Sequence, residues 1–196
     1  MKAVLISIRP RWCKLIAGGK KTVEVRKSKP KLETPFKVYI YCTQEKQRYF
    51  PWSGKVIGEF VCDRIYQYAS DLFRSTPVEG TDISTEEMAK LSCLTAKELY
   101  EYEHSAEPRE NCIYLVGVYG WHISNLKIYD KPKELNDFTP HCRYMTDDMR
   151  SCDHRKIACN HQEFDYNPWP DCSLNTVVCK RRMQKPPQSW CYVEEI

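Results

Sequence analysis

The sequence predicts an α+β fold, a small β-barrel with peripheral helices. Three observations carry that prediction: short runs rich in β-branched and aromatic residues outnumber helical stretches, no strand–helix–strand unit recurs, and no internal repeat is visible. At 196 residues the chain can bury a real core but is short of the length at which two domains become the expectation. One domain over residues 1–196, with an inserted lobe at 139–179, is the predicted organisation.

The elements follow in order. Ala3 to Ile8 is apolar and β-branched and reads as the first strand. Pro10 suits the first turn of a helix, where its missing N–H costs nothing, and Trp12, Leu15 and Ile16 follow at helical spacing. Gly18 or Gly19 ends that helix, since glycine reaches the left-handed cap conformation without strain. A strand from Thr22 to Arg26 comes next, with Val23 and Val25 on one face and Thr22, Glu24 and Arg26 on the other.

Phe36 to Cys42 and Gly54 to Ile65 are the next strand candidates, joined by a polar, aromatic loop through Tyr49, Phe50 and Trp52. Ser84 with Glu87, and Thr95 with Glu98, have the spacing of capping boxes and predict two helix starts. Asn111 to Ile123 reads as a long buried strand, and the closing SWCYVEEI supplies the last one.

Charge is distributed unevenly. Basic residues crowd the segment from Met1 to Lys37, opposed there only by Glu24 and Glu33, whereas acids gather between Glu59 and Glu110. Such a segment attracts polyanions, and contact with a phosphate backbone is its commonest use; a solvated cationic face is the plainer alternative. The apolar run of the N-terminus stops at Arg9 and Pro10, too short for a signal-peptide core or a membrane span, which predicts a cytoplasmic protein without membrane association. The cysteines are then thiols or metal ligands before they are disulfides.

The stretch LIAGGKKTVEVRK concentrates the chemistry. Its strand directs Thr22, Glu24 and Arg26 to one face, while Lys20 and Lys21 enter from the preceding turn. Arg26 offers a planar fork to a phosphate or base edge, Lys20 or Lys21 a point charge, and Glu24 an acceptor for an exocyclic amine. Arg9 and Trp12 stand near enough in sequence to add a stacking surface. The bland alternative is an exposed same-face ion pair between Glu24 and Arg26, worth under about 1 kcal/mol, with Trp12 in the core.

The longer stretch SIRPRWCKLIAGGKKTVEVRK resembles the signature of ASCH domains, and GKVIGEF and PPQSWCYVEEI look like later strands of that family. The likeness covers most of the chain but not residues 139–179. It implies a PUA-like β-barrel with a cleft between barrel and helices, and an RNA-binding or modified-nucleotide-binding role centred on Lys21, Glu24 and Arg26, with Arg9, Trp12, Lys20 and Thr22 around them. It also implies an enzymatic alternative, because some members hydrolyse N4-acylated cytidine and a ribonuclease activity has been reported for another. In the amidohydrolase group the lysine matches Lys21, but a threonine stands where this chain has Glu24. Lys21 and Glu24 are the catalytic candidates of that alternative, with Glu98, Glu101 or Glu103 in the region of the family's downstream glutamate.

Within 139–179, His141, Cys142, Cys152, His154, Cys159, His161, Cys172 and Cys179 crowd a stretch poor in aliphatics. A structural zinc would give such a lobe a core, and Cys142, Cys152, Cys159 and Cys172 are the first-choice ligands. No C-x-x-C knuckle is present, so free thiols in the lobe, or disulfides in an exported protein, compete with the metal. A third functional class, a protein-interaction module working through this lobe, is also open. Cys13, Cys42, Cys62, Cys93 and Cys112 fall in apolar elements, where cysteine behaves as a small hydrophobe.

Overall fold

A computed structural model describes residues 2–44, 50–69, 80–105, 117–141 and 182–196, together with the backbone at 162–164 and 177–179. Cys142, Cys152, Cys159, Cys172 and Cys112 lie outside the described residues, as does the rest of the lobe after His141 apart from those two backbone stretches. In chain order the elements are β1 (Lys2–Ile8), α1 (Pro10–Ala17), β2 (Val23–Arg26), β3 (Phe36–Cys42), β4 (Val56–Cys62) and β5 (Ile65–Tyr68). Then come α2 (Thr85–Ser92), α3 (Ala96–His104), β6 (Val118–His122), β7 (Ser124–Lys133), a 3-10 turn (Leu135–Asp137), β8 (Gln162–Phe164), β9 (Val177–Cys179) and β10 (Trp190–Glu194).

The α+β class is as expected. The sheets, however, do not close into a barrel: β10, β1, β3, β4 and β7 form one sheet in that order, and β2, β6 and β5 form a second. Two continuous corners join them. The segment read as one strand from Gly54 to Ile65 is two, β4 in the large sheet and β5 in the small one, and the chain passes directly from β6 to β7 at Ile123.

On the opposite side no backbone ladder among the described residues joins the sheets, and the reason is local. β10 pairs with β1 only as far as Trp190 opposite Ile6. The residues before it, Pro186, Pro187, Gln188 and Ser189, depart from the ladder, since proline has no N–H to donate to it. Ser7 of β1 is still tied to this segment, its N–H donating to Ser189 O at 2.8 Å and its hydroxyl to Pro187 O at 2.7 Å.

β1 is buried on both faces, which is why its alternation is weak. Val4, Ile6 and Ile8 join Ile16, Val38, Ile40 and Trp121 in one core, while Ala3 and Leu5 join Tyr39, Phe138 and Val193 in another. Val23 and Val25 of β2 pack with Met88, Leu99 and Val118 beneath α2 and α3. The capping box expected at Thr95 and Glu98 is complete, whereas at Ser84 only the hydroxyl accepts, from the N–H of Glu87 at 3.1 Å. No helix among the described residues is long and apolar enough to cross a membrane.

Candidate functional site

The helix stop before β2 sets the site. Gly19 has φ +69°, the N–H of Lys20 donates to Leu15 O at 2.9 Å and that of Gly19 to Ile16 O at 2.9 Å, a Schellman closure of α1. The turn is then stitched to the end of α2: Thr22 N–H donates to Leu91 O at 2.9 Å and Cys93 Sγ to Lys20 O at 3.2 Å. Lys21 is thereby carried inward, where its Nζ donates to Ser92 O at 2.8 Å, at the C-terminus of α2 whose dipole favours a cation.

Glu24 stands between two cations. Its Oε2 lies 3.3 Å from Lys21 Nζ and its Oε1 2.9 Å from a terminal guanidinium nitrogen of Arg26. All three residues are buried, at 3%, 6% and 8% exposure for Lys21, Glu24 and Arg26. An exposed-strand ion pair therefore does not describe this chain. Arg26 also donates to Ser7 O at 2.6 Å and to Ser189 Oγ at 3.3 Å, bridging the sheets where the backbone does not, and its buried Nε has no acceptor among the described residues.

The triad lines a cavity of about 480 Å³. Of the seven predicted site residues, Arg9, Trp12, Lys21, Glu24 and Arg26 line it, and Lys20 and Thr22 do not. Lys20 is exposed, and Thr22 is held by its backbone to Leu91 and Ile123. Trp12 is half-buried and turned to the site, with Lys21 Nζ 5.1 Å from its ring centre and the Arg11 guanidinium 4.5 Å from it.

Sequence reasoning did not assign Ser7, Thr43, Leu94, Tyr102, Gln188 and Ser189 to this wall. Tyr102 was findable, because it follows Glu98 by one helical turn and the pair shares a face of α3. Of the three downstream acids, Glu98 lines the cavity, Glu101 is exposed and Glu103 is buried. The N–H of Thr95, at 2.8 Å, and then its hydroxyl, at 3.0 Å, bond Glu98 Oε2 and hold that carboxyl below the usual range, so it is a poor base. Burial pushes the Tyr102 hydroxyl up, which keeps it a neutral donor at physiological pH.

Cys13 and Cys42 lie beside this wall, fully buried; the hydrogen bond the Cys13 thiol shares with Cys42, which favours its protonated form, and then burial push that thiol up, which makes it inert. Cys62 is buried, as expected, but Cys93 is half-exposed in a left-handed cap at φ 55°. Among the described residues no group of three or more His, Cys, Asp or Glu side chains is arranged to hold a metal.

No known family model and no curated protein matches the chain. Solved structures do. The ASCH protein of Zymomonas mobilis is similar at 18% identity and a TM-score of 0.46, over 98% of this chain and 88% of that one. Two point mutants of the same protein match at 16% identity, TM-score 0.46, over 98% and 89% of the two chains, and at 20% identity, TM-score 0.41, over 69% and 77%.

Proposed function

We propose that this chain binds RNA or a modified nucleotide, seating one nucleoside in the cavity between α1, α3 and the open side of the sheets. The observation that carries the reading is the buried Lys21–Glu24–Arg26 triad on the wall of a cavity within the size range of small-ligand sites. Glu24 and backbone carbonyls already take donors from both cations. The triad is thus suited to the donor and acceptor pattern of a base edge rather than to a bare phosphate. Trp12 and Tyr102 supply aromatic surface for the base, and exposed Arg9 supplies a cation for a phosphate. The resemblance of the N-terminal motif to ASCH domains implies the same class of ligand.

One observation favours a second reading, hydrolysis of an N4-acylated cytidine: Lys21 Nζ and Glu24 Oε2 are 3.3 Å apart, a couple able to pass a proton. Weighing against it, Glu24 occupies the threonine position of that enzyme group, and Glu98 is held ionised as a weak base.

Calorimetric titration with cytidine monophosphate, N4-acetylcytidine and a short single-stranded RNA, on wild type and Trp12→Ala, tests the first reading. Loss of a stacking contact worth about 1–3 kcal/mol weakens binding roughly fivefold to 150-fold. Absence of binding by all three ligands, or affinity untouched by Trp12→Ala, would overturn it. Release of acetate from N4-acetylcytidine, abolished in a folded Lys21→Met variant that still binds the nucleoside, would establish the second.

A further inference from the structure

Immediately after Arg26 the chain leaves the cavity as an irregular segment carrying a lysine at every second position, Lys27, Lys29 and Lys31, and each lies against an aromatic residue. Lys27 Nζ is 5.5 Å from the ring centre of Tyr102, which also lines the cavity, and Lys29 Nζ is 5.3 Å from that of Tyr119. The N–H of Lys31 donates to the Tyr192 hydroxyl at 2.6 Å, and Lys2 reaches the same ring from β1, 5.4 Å from its centre. Trp190 closes the row, its indole N–H donating to Ser28 Oγ at 3.0 Å and its ring 5.4 Å from Tyr192. The aromatic rings are half-exposed, while Lys2, Lys29 and Lys31 are exposed.

Acids are scarce here. Glu33 is the only one between Lys27 and Lys37, and the two glutamates at the end of β10 are engaged, Glu194 by His141 at 2.6 Å and Glu195 by Lys37 at 2.8 Å. Cations interleaved with aromatic edges are the combination that single-stranded polynucleotides select, the charges following the backbone and the rings meeting unstacked bases. A duplex, with its bases stacked away, would use only the charges.

We infer that a single-stranded polynucleotide runs from the cavity along this track, over Lys27, Lys29, Tyr119, Lys31 and Tyr192 to Lys2. The inference rests on the nucleotide reading of the cavity and adds the class of partner, a strand rather than a free nucleotide. Residues 26–31 span at most about 17 Å, enough for a few nucleotides beyond the one in the cavity.

The test compares cytidine monophosphate, a cytidylate hexamer and a blunt RNA duplex on the full chain and on a Lys2→Ala/Lys29→Ala/Lys31→Ala variant, in a salt series. None of the three lysines lines the cavity. The hexamer is expected to bind wild type more tightly than the mononucleotide. The variant should lose that gain, its log–log salt slope falling by about 2 for three single-strand phosphate contacts, with mononucleotide affinity unchanged. Between 50 and 200 mM salt that difference in slope amounts to roughly 20-fold. A hexamer no tighter than the mononucleotide, or a gain that survives in the variant, overturns the track and leaves the cavity reading standing. Equal lysine-dependent binding of the duplex overturns the single-strand assignment. Lysine-dependent hexamer binding without mononucleotide binding overturns the cavity reading, and the track leading from it falls with it.

Discussion

Glu24→Gln is the most informative perturbation of the candidate site, because it keeps the volume of the side chain and removes the charge that two buried cations face. At 2.9 and 3.3 Å, each ion pair is worth about 5–6 kcal/mol of Coulomb attraction at an effective dielectric of about 20, before desolvation is subtracted. The glutamine leaves Lys21 and Arg26 close together with no anion between them and with side-chain exposures of 2% and 10%. Breaking a buried pair in this way costs about 3–5 kcal/mol. With a urea m-value of about 2 kcal/mol/M, the midpoint of unfolding falls by roughly 1.5–2.5 M.

Tryptophan fluorescence reports the transition, and circular dichroism at zero denaturant establishes that the variant is folded before the series begins. The opposite result is expected when the whole triad is replaced, as Lys21→Met/Glu24→Leu/Arg26→Met. No charge is then left uncompensated, and more than half of the lost stability returns, short of full recovery because Ser7 O and Ser92 O lose their donors. Such non-additivity is the signature of a coupled cluster. A loss below about 1 kcal/mol in Glu24→Gln would refute the argument, since that is the magnitude of solvated surface pairs.

Three further expectations concern the frame around the site. Gly58→Ala places a Cβ 2.4 Å from Lys127 O and 3.1 Å from Ile128 Cα, backbone that cannot swing aside; an overpacking cost of about 1–3 kcal/mol lowers Tm by roughly 2–12 °C in a thermal melt. A hydrogen bond from His122, 2.6 Å away, holds the Asp63 carboxyl below its ordinary range, so its contribution to stability is present above about pH 4 and is lost as pH falls through the lower folded value. Wild type and Asp63→Asn should accordingly differ in urea midpoint at pH 6 and converge on acidification toward pH 3. Replacing residues 142–181 by a short Gly-Ser link should preserve cooperative unfolding. The flanks are already clasped, by Met183 N–H to Phe138 O at 2.9 Å, Arg182 to Thr139 Oγ1 at 2.7 Å and His141 N–H to Tyr192 O at 3.0 Å. Loss of cooperativity would assign the lobe a part in the core.

Local rules made much of this legible. The Schellman stop at Gly18 and Gly19, the capping box at Thr95 and the division of β2 into a valine face and an ionic face all follow from residues within a turn or two of one another. Burial of the triad does not follow from them, because its cover is the C-terminus of α2, with Ser92 71 positions beyond Lys21, and nothing in GKKTVEVRK encodes that approach. β7 is hidden in the sequence for a different reason. Its sequence, SNLKIYDKPK, is largely polar and carries Pro132, features that argue against a central strand but suit the edge of a sheet, where lysines and proline discourage further pairing.

The open side of the two sheets and the chemistry of the cavity share one origin. Had β10 continued its ladder past Trp190, a backbone donor from that strand would compete for the carbonyl of Ser7. Pro186 and Pro187 divert the chain there, the Ser7 N–H still donates to Ser189 O, and the Ser7 carbonyl accepts from Arg26 instead. Arg26 so drawn across needs an anion within the same buried space, and Glu24, two residues back on the same face of β2, is within reach. Glu24 in turn has a second oxygen to satisfy, and Lys21, delivered by the glycine turn after α1, satisfies it. One carboxylate shared by two cations, each of which also donates to a backbone carbonyl, lets the ionic row stay buried at the wall of an open cavity with its donors and acceptors already oriented. The segments PPQSW and GGKKTVEVR are thus parts of one device, although 163 positions separate Arg26 from Ser189.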